Sequence, residues 1–350
     1  MKKDIIGIVQ NSKVTHSIAN AATKGNRYWT DFLAVIEDYK KTLSDKDFNN
    51  FLYKSRLDRE ISMAQYLQFS TEVTIVDYII RNYGGFKNEP KYNDKKNPEC
   101  SFEYKGRTVN IEVKCPDIFK RIEQEDSEGI KLFAADRLPN KDIYIQAKEF
   151  IELNIKDGQR IQVIDRMDNK QKDYLISAHH KFPISNASNF NILVIAVDIL
   201  SDMDEWYSYL FGESGAFTNN TYIADSYSNV DAVLLTNVQH GHMSDDVDLK
   251  INCWQMENYV SLLFLDPRKQ DCYGMVEYYG NEALDLFGGL TRDFISYQWK
   301  LDKNNDKREN NTKSLGLDEN QKKELNRLYY TGDKIFGSHI ISEWVKQWKR

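Results

Sequence analysis

Residues 98–114 read PECSFEYKGRTVNIEVK, and this stretch decides the fold. Val109, Ile111 and Val113 alternate with Thr108, Asn110, Glu112 and Lys114, the period of two by which a strand sends one set of side chains to each face. Lys105-Gly106 supplies a two-residue hairpin turn, with Tyr104 then facing Arg107. Continuing that ladder sets Cys100 against Ile111 and Phe102 against Val109 on an apolar face, and Glu99, Ser101 and Glu103 against Glu112, Asn110 and Thr108 on a polar one. A slip of one residue mixes the faces, so the apolar pattern itself selects the register.

Working outward, residues 58–83 read as a long amphipathic helix with Leu67, Val73, Val76, Ile79 and Ile80 as its apolar positions, stopped by Gly84-Gly85. Extended segments are expected at 87–92, 99–104 and 107–114, and helices at 141–154 and 168–182. The apolar runs at 191–198, 230–236 and 260–265 are short enough to be strands buried on both faces. The fold class is therefore α/β. Ahead of this core, 13–56 reads as helical, with Ser17 as a cap and Trp29, Phe32, Leu33, Ile36 and Tyr39 at helix spacing. Behind it, 302–323 is polar, and Leu325, Leu328, Ile335, Ile340, Trp344 and Trp348 recover a helical period. The expected organisation is an N-terminal helical segment over 1–57, a core over 58–270 and a mostly helical region over 271–350.

The chain has 350 residues, 41% of them hydrophobic and 13% aromatic, enough to bury a sizeable core. Its formal net charge of -6 gives no global field toward nucleic acid or anionic lipid, so any basic surface must be local. Cys100, Cys115, Cys253 and Cys272 show no paired C-x-x-C spacing and no disulfide framework, which fits a reducing cytoplasm. The apolar run Ile5 to Val9 is shorter than a signal-peptide core, and no run approaches a membrane span.

Chemistry gathers on the polar face of the hairpin. Glu99 and Glu112, directly opposite at roughly 5 Å between Cβ atoms, repel unless a proton or a cation lies between them. Oxygen donors suit hard Mg²⁺ or Mn²⁺, and Lys114, one period further along, projects its ammonium toward what that metal activates. Metal, lysine and a phosphodiester together make a hydrolysis site. Elsewhere, His240-Gly241-His242 lacks a third ligand at metal spacing, His179-His180 cannot face one ligand from a helix, and both read as structural. Trp344 and Trp348 beside Lys346, Lys349 and Arg350 read first as a solvated helix face.

Pro98-Glu99, twelve residues, then Glu112-x-Lys114, behind a helix and beside Glu89-Pro90, resembles the PD-(D/E)xK nuclease superfamily. The resemblance covers residues 58–200 and implies a restriction-endonuclease-like αβββαβ core with a mixed central sheet. It departs from the family in having Glu99 where Asp is usual. It implies an Mg²⁺-dependent DNA endonuclease, suited to restriction or anti-phage defence, with Glu99 and Glu112 on the metal and Lys114 at the attacking water. The family's upstream helix acid falls on Glu72, with Glu60 second, and its Gln or Lys on the helix after the third strand on Gln171 or Lys172. Lys91, Lys95, Lys96 and Lys105 near the hairpin are the expected backbone contacts to DNA. Cutting both strands calls for two sites, hence a homodimer or a partner protein. The competing readings are a catalytically inactive nuclease-fold scaffold subunit and a metal-dependent phosphoesterase acting on a small molecule.

Overall fold

The computed structural model describes residues 9, 17–59, 61–92, 97–117, 130–134, 149–150, 161–165, 167–198, 200–211, 215–217, 224–243, 252–266 and 286–289. The helical N-terminal lead divides into α1 (Ser17–Lys24), α2 (Arg27–Thr42) and α3 (Asp45–Ser55). Asn26 and Ser44 cap the latter two by accepting the Trp29 and Asp47 backbone N–H groups. Helix α4 (Met63–Asn82) begins later than the apolar period suggested, because Ser62 and Gln65 form a reciprocal capping box that fixes its first turn.

Six strands form one mixed open sheet in the order β1-β2-β3-β6-β7-β8. They are β1 (Gly84–Asn88), β2 (Cys100–Tyr104), β3 (Arg107–Lys114), β6 (Asn189–Ala196), β7 (Ala232–Thr236) and β8 (Ser261–Leu265). β4 (Ile130–Ala134) and β5 (Ile161–Asp165) pair in parallel as a separate two-stranded sheet. α5 (Met167–Lys181) precedes β6, and α6 (Leu200–Phe211) connects β6 to β7. β3, β6 and β7 run parallel, while β1, β2 and β8 are antiparallel to their neighbours.

The hairpin has the expected register, from Tyr104↔Arg107 to Cys100↔Ile111. Lys105 and Gly106 both take positive φ at its turn, the geometry that matches strand twist. The first strand departs from expectation: it starts at Gly84 and ends at Asn88 rather than spanning 87–92. Gly85 sits at φ +66 where an added Cβ would come within 2.6 Å of Glu103, so the glycine pair opens the strand as well as closing the helix. Glu89 ends it by entering the left-handed region at φ 42. β4, β5 and α6 have no counterpart in the sequence reading.

Two buried clusters lie on opposite faces of the sheet. One packs Cys100, Phe102, Val109, Ile111 and Val113 with Ile192, Val194 and the helices α1 to α4. The other packs Leu193, Ile195, Val233 and Leu235 with Leu175 and Ala178 of α5 and Trp206 and Leu210 of α6. The N-terminal helices thus share a core with the sheet. Of the helix expected at 141–154, residues 149–150 are described and helical, and of 271–350 only 286–289 are described, so Trp344 and Trp348 lie outside the described residues. No described helix is long and apolar enough to cross a membrane.

Candidate active site

The alternation of β3 sends Glu112 to the face covered by α5 and α6, where it pairs in register with Leu193 and has no exposed surface. The end of the hairpin's polar face away from the turn is therefore buried, with Ser101 and Asn110 fully enclosed as well, while Glu103 toward the turn is exposed. A carboxylate at such depth is costly unless paired. Two ammonium groups supply the pairing: Lys114 Nζ lies 2.7 Å and Lys181 Nζ 2.6 Å from Glu112 Oε1. Oε2 accepts no hydrogen bond from any described residue.

Lys181 closes α5 and also reaches Glu99 Oε1 at 3.5 Å, so its ammonium stands between the two carboxylates. The main-chain ladder ends one step earlier than the sequence suggests, since Glu99 N–H donates to the Ile111 carbonyl at 2.9 Å rather than pairing with Glu112. The cation demanded between Glu99 and Glu112 is, among the described residues, this lysine.

Glu72 approaches from α4 and accepts a hydrogen bond from Gln68 Nε2 at 2.6 Å. Burial first, and the charge of Glu99 next, push its carboxyl up to about 8. Burial and then Glu112 raise Glu99, against the pull of Lys181 and Lys114. Burial opposes the Lys181 ammonium, but Glu112 and Glu99 outweigh it and raise its pKa. Three carboxylates thus share two lysines, and the proton that Glu72 keeps up to about 8 leaves the cluster without excess negative charge at neutral pH.

Glu99, Glu112 and Glu72 offer only oxygen donors, the type that suits a hard divalent cation, but Lys114 and Lys181 already stand on Glu112 and Glu72 is raised to about 8. Among the described residues no group of three or more His, Cys, Asp or Glu side chains is placed to hold a metal ion. Ligation therefore requires Lys181 to yield its place between the carboxylates.

Glu72 and Glu99 line a cleft of about 820 Å³ walled by α3 and α4 and by the segment after β1. Lys46, Lys54, Arg56 and Lys91 also line it, together with Asp47, Glu89 and Asp117. Lys91 is thus near the site as expected. Lys105 is not, because it occupies the hairpin turn with its ammonium 5.2 Å from the Tyr104 ring centroid. The turn is roughly 17 Å from Glu99 at strand rise. Lys95, Lys96 and Glu60 lie outside the described residues.

The sequence reading placed the helix contribution on Gln171 or Lys172, and the structure does not bring them to the site. Gln171 is buried and donates to the Trp206 carbonyl at 3.0 Å, tying α5 to α6. Lys172 stands nine residues before Lys181, roughly 13 Å away along the helix axis. The signal for Lys181 was thin, since a cation in the last turn before Pro183 also suits the helix dipole.

The histidines are structural. Thr74 Oγ1 gives its proton to the Ser70 carbonyl at 2.9 Å, so it accepts from His242 Nε2 at 2.9 Å, and His242 Nδ1 accepts from the Tyr28 hydroxyl at 2.7 Å. His242 thereby clasps α2, α4 and the turn after β7. His240 pairs with Asp198 at 2.8 Å, and His179 Nδ1 accepts the Asn229 N–H at 3.1 Å. Comparison of the chain with protein-family models, curated proteins and solved structures finds no match.

Proposed function

We propose that this chain is a metal-dependent endonuclease of the PD-(D/E)xK type that hydrolyses DNA phosphodiester bonds. The observation that carries the reading is the convergence of Glu72, Glu99, Glu112, Lys114 and Lys181 from α4, the hairpin and α5 beside a cleft lined by charges of both signs. Supporting it, α4, β1, β2, β3, α5 and β6 run in the order of a restriction-endonuclease-like core, although β4 and β5 interrupt it.

Glu99 and Glu112, with Glu72, would hold the ion. When bound, Mg²⁺ or Mn²⁺ supplies charge stabilisation at the phosphoryl oxygen and a more acidic water. Lys114, fixed by Glu112, directs its ammonium at the attacking water and at the charge that develops on the phosphoryl group. Lys181 balances the Glu99 and Glu112 carboxylates, and with an ion in its place its ammonium would be available to a phosphate. A place in restriction or anti-phage defence goes with the family resemblance, as does assembly into a dimer or with a partner protein, while a cytoplasmic location goes with the scattered cysteines.

A second reading has its own support. Two lysines on one oxygen and no metal-holding group among the described residues are also what a nuclease fold retained as a scaffold would show. Calorimetric titration with Mn²⁺ separates the two. The nuclease reading predicts saturable binding that Glu112→Gln and Glu99→Gln each weaken by about tenfold or more. Absence of binding to the folded wild-type chain rejects it in favour of the scaffold.

A further inference from the structure

We infer that Lys181 is an internal competitor for the metal, an ammonium tethered to the end of α5 that fills the gap between Glu99 and Glu112 and keeps the site closed until an ion displaces it. The inference rests on the nuclease reading for the identity of the ion, and it adds what sets the affinity for that ion.

Position argues first. Lys181 Nζ stands 2.6 Å from Glu112 Oε1 and 3.5 Å from Glu99 Oε1, whereas Lys114 pairs with Glu112 and not with Glu99. One cation therefore bridges the two carboxylates, and the other flanks one of them. A divalent ion entering beside both ammonium groups would leave excess positive charge in a buried site, which is costly. Departure of Lys181, the group in the gap, relieves the charge and the crowding together.

The present occupant also leaves a donor unused. Glu112 Oε2 is buried and accepts no hydrogen bond from any described residue. An ammonium is a compact point charge, here set on the other oxygen of that carboxylate, while a hard divalent ion has six or more positions to fill with oxygen and can engage both.

The tether decides how the exchange takes place. Phe182, the next residue, is buried. Asn191 Nδ2 then donates to the Pro183 carbonyl at 2.9 Å, and the Ser185 hydroxyl donates to the buried Asp231 carboxylate, which also accepts the Asn191 N–H at 2.8 Å. The chain just beyond Lys181 is thus clamped to β6 and to the residue before β7. Exchange is accordingly a swing of the lysine side chain, not a withdrawal of α5, and the 17% of that side chain already exposed gives it a route to solvent.

The test is calorimetric titration with Mn²⁺ of wild type, Lys181→Gln, Lys181→Arg and Lys114→Gln, with circular dichroism melts to show that each is folded. Lys181→Gln should bind about tenfold tighter than wild type, Lys181→Arg no tighter, and Lys114→Gln should gain less than Lys181→Gln. In the wild type, Mn²⁺ should raise acetylation of Lys181 by an amine-reactive reagent several-fold, read by mass spectrometry, because the displaced ammonium reaches solvent. That second measurement needs no variant to fold. Affinity in Lys181→Gln equal to or weaker than wild type, an equal gain in Lys114→Gln, or binding with unchanged acetylation of Lys181 overturns the inference and leaves the nuclease reading standing. Absence of Mn²⁺ binding in wild type and in every folded variant overturns both.

Discussion

Glu112 has no exposed surface, and its one engaged oxygen is shared by Lys114 and Lys181. Removing one of two cations from a buried carboxylate leaves charge only half compensated. Lys181→Met should therefore lower unfolding free energy by about 2 kcal/mol in urea denaturation, while Lys172→Met, on the same helix but away from the site, stays within about 0.5 kcal/mol. Equal effects would show that Lys181 is only a solvated helix end. The titration of Glu72 gives a second expectation. Its folded carboxyl is raised to about 8, so between about 4.5 and 8 the folded chain keeps a proton that the unfolded chain has lost. Stability of the metal-free protein should fall as pH rises through that window, and Glu72→Gln should flatten the fall in thermal melts. His242 works in the opposite sense. Burial lowers it to about 3, so the stability it contributes is complete above pH 6.5 and lost as pH falls toward 3, by about 3 kcal/mol at pH 4. His242→Gln should remove that acid-side slope, and a slope unchanged in the variant would contradict the neutral, doubly hydrogen-bonded imidazole.

The β2–β3 hairpin was legible in the sequence down to its register, because Val109, Ile111 and Val113 can share a face with Cys100 and Phe102 in only one pairing. The long helix and the three downstream strands were legible within a few residues for the same reason, periodicity. What the pattern could not show is that the polar face is covered. Asn110 Nδ2 donates to Asn191 Oδ1 at 2.8 Å, and Asn191 Nδ2 in turn donates to the Pro183 and Asn229 carbonyls at 2.9 and 2.7 Å. Polar residues alternating along a strand look solvated until a distant helix is laid over them, and α5 meets β3 from some sixty residues further along the chain. The same gap hid Lys181, whose place in the site depends on where α5 ends relative to β3. Asn191→Leu should destabilise the fold by about 2 kcal/mol, since it leaves several buried partners unpaired, and equilibrium denaturation checks it. After β7, Gly241 lies where an added Cβ would fall 1.7 Å from the Tyr259 hydroxyl, inside the turn that positions His242. Gly241→Ala should lower the melting temperature by several degrees, and an unchanged melt would show that Tyr259 moves aside freely.

At the scale of the whole molecule, a six-stranded mixed sheet lies between two layers of helix. One layer, α1 to α4, brings Glu72 and the cleft walls, while the other, α5 and α6, brings Lys181 and closes the polar face. The site therefore exists only where both layers meet the end of the β2–β3 hairpin, so the N-terminal helices belong to the candidate site as well as to the core. Their removal should cost the fold its stability, since they share the sheet's core. The central claim is metal-dependent phosphodiester hydrolysis at Glu99, Glu112 and Lys114. It is tested most directly by incubating purified wild-type protein, Glu112→Gln and Lys114→Ala with supercoiled plasmid and with single-stranded circular DNA in Mg²⁺ or EDTA. Cleavage by wild type in Mg²⁺, absent in EDTA and lost in both folded variants, is the predicted result. Cleavage that survives in EDTA or in either variant, or no cleavage of either DNA by a folded wild-type chain, would contradict it.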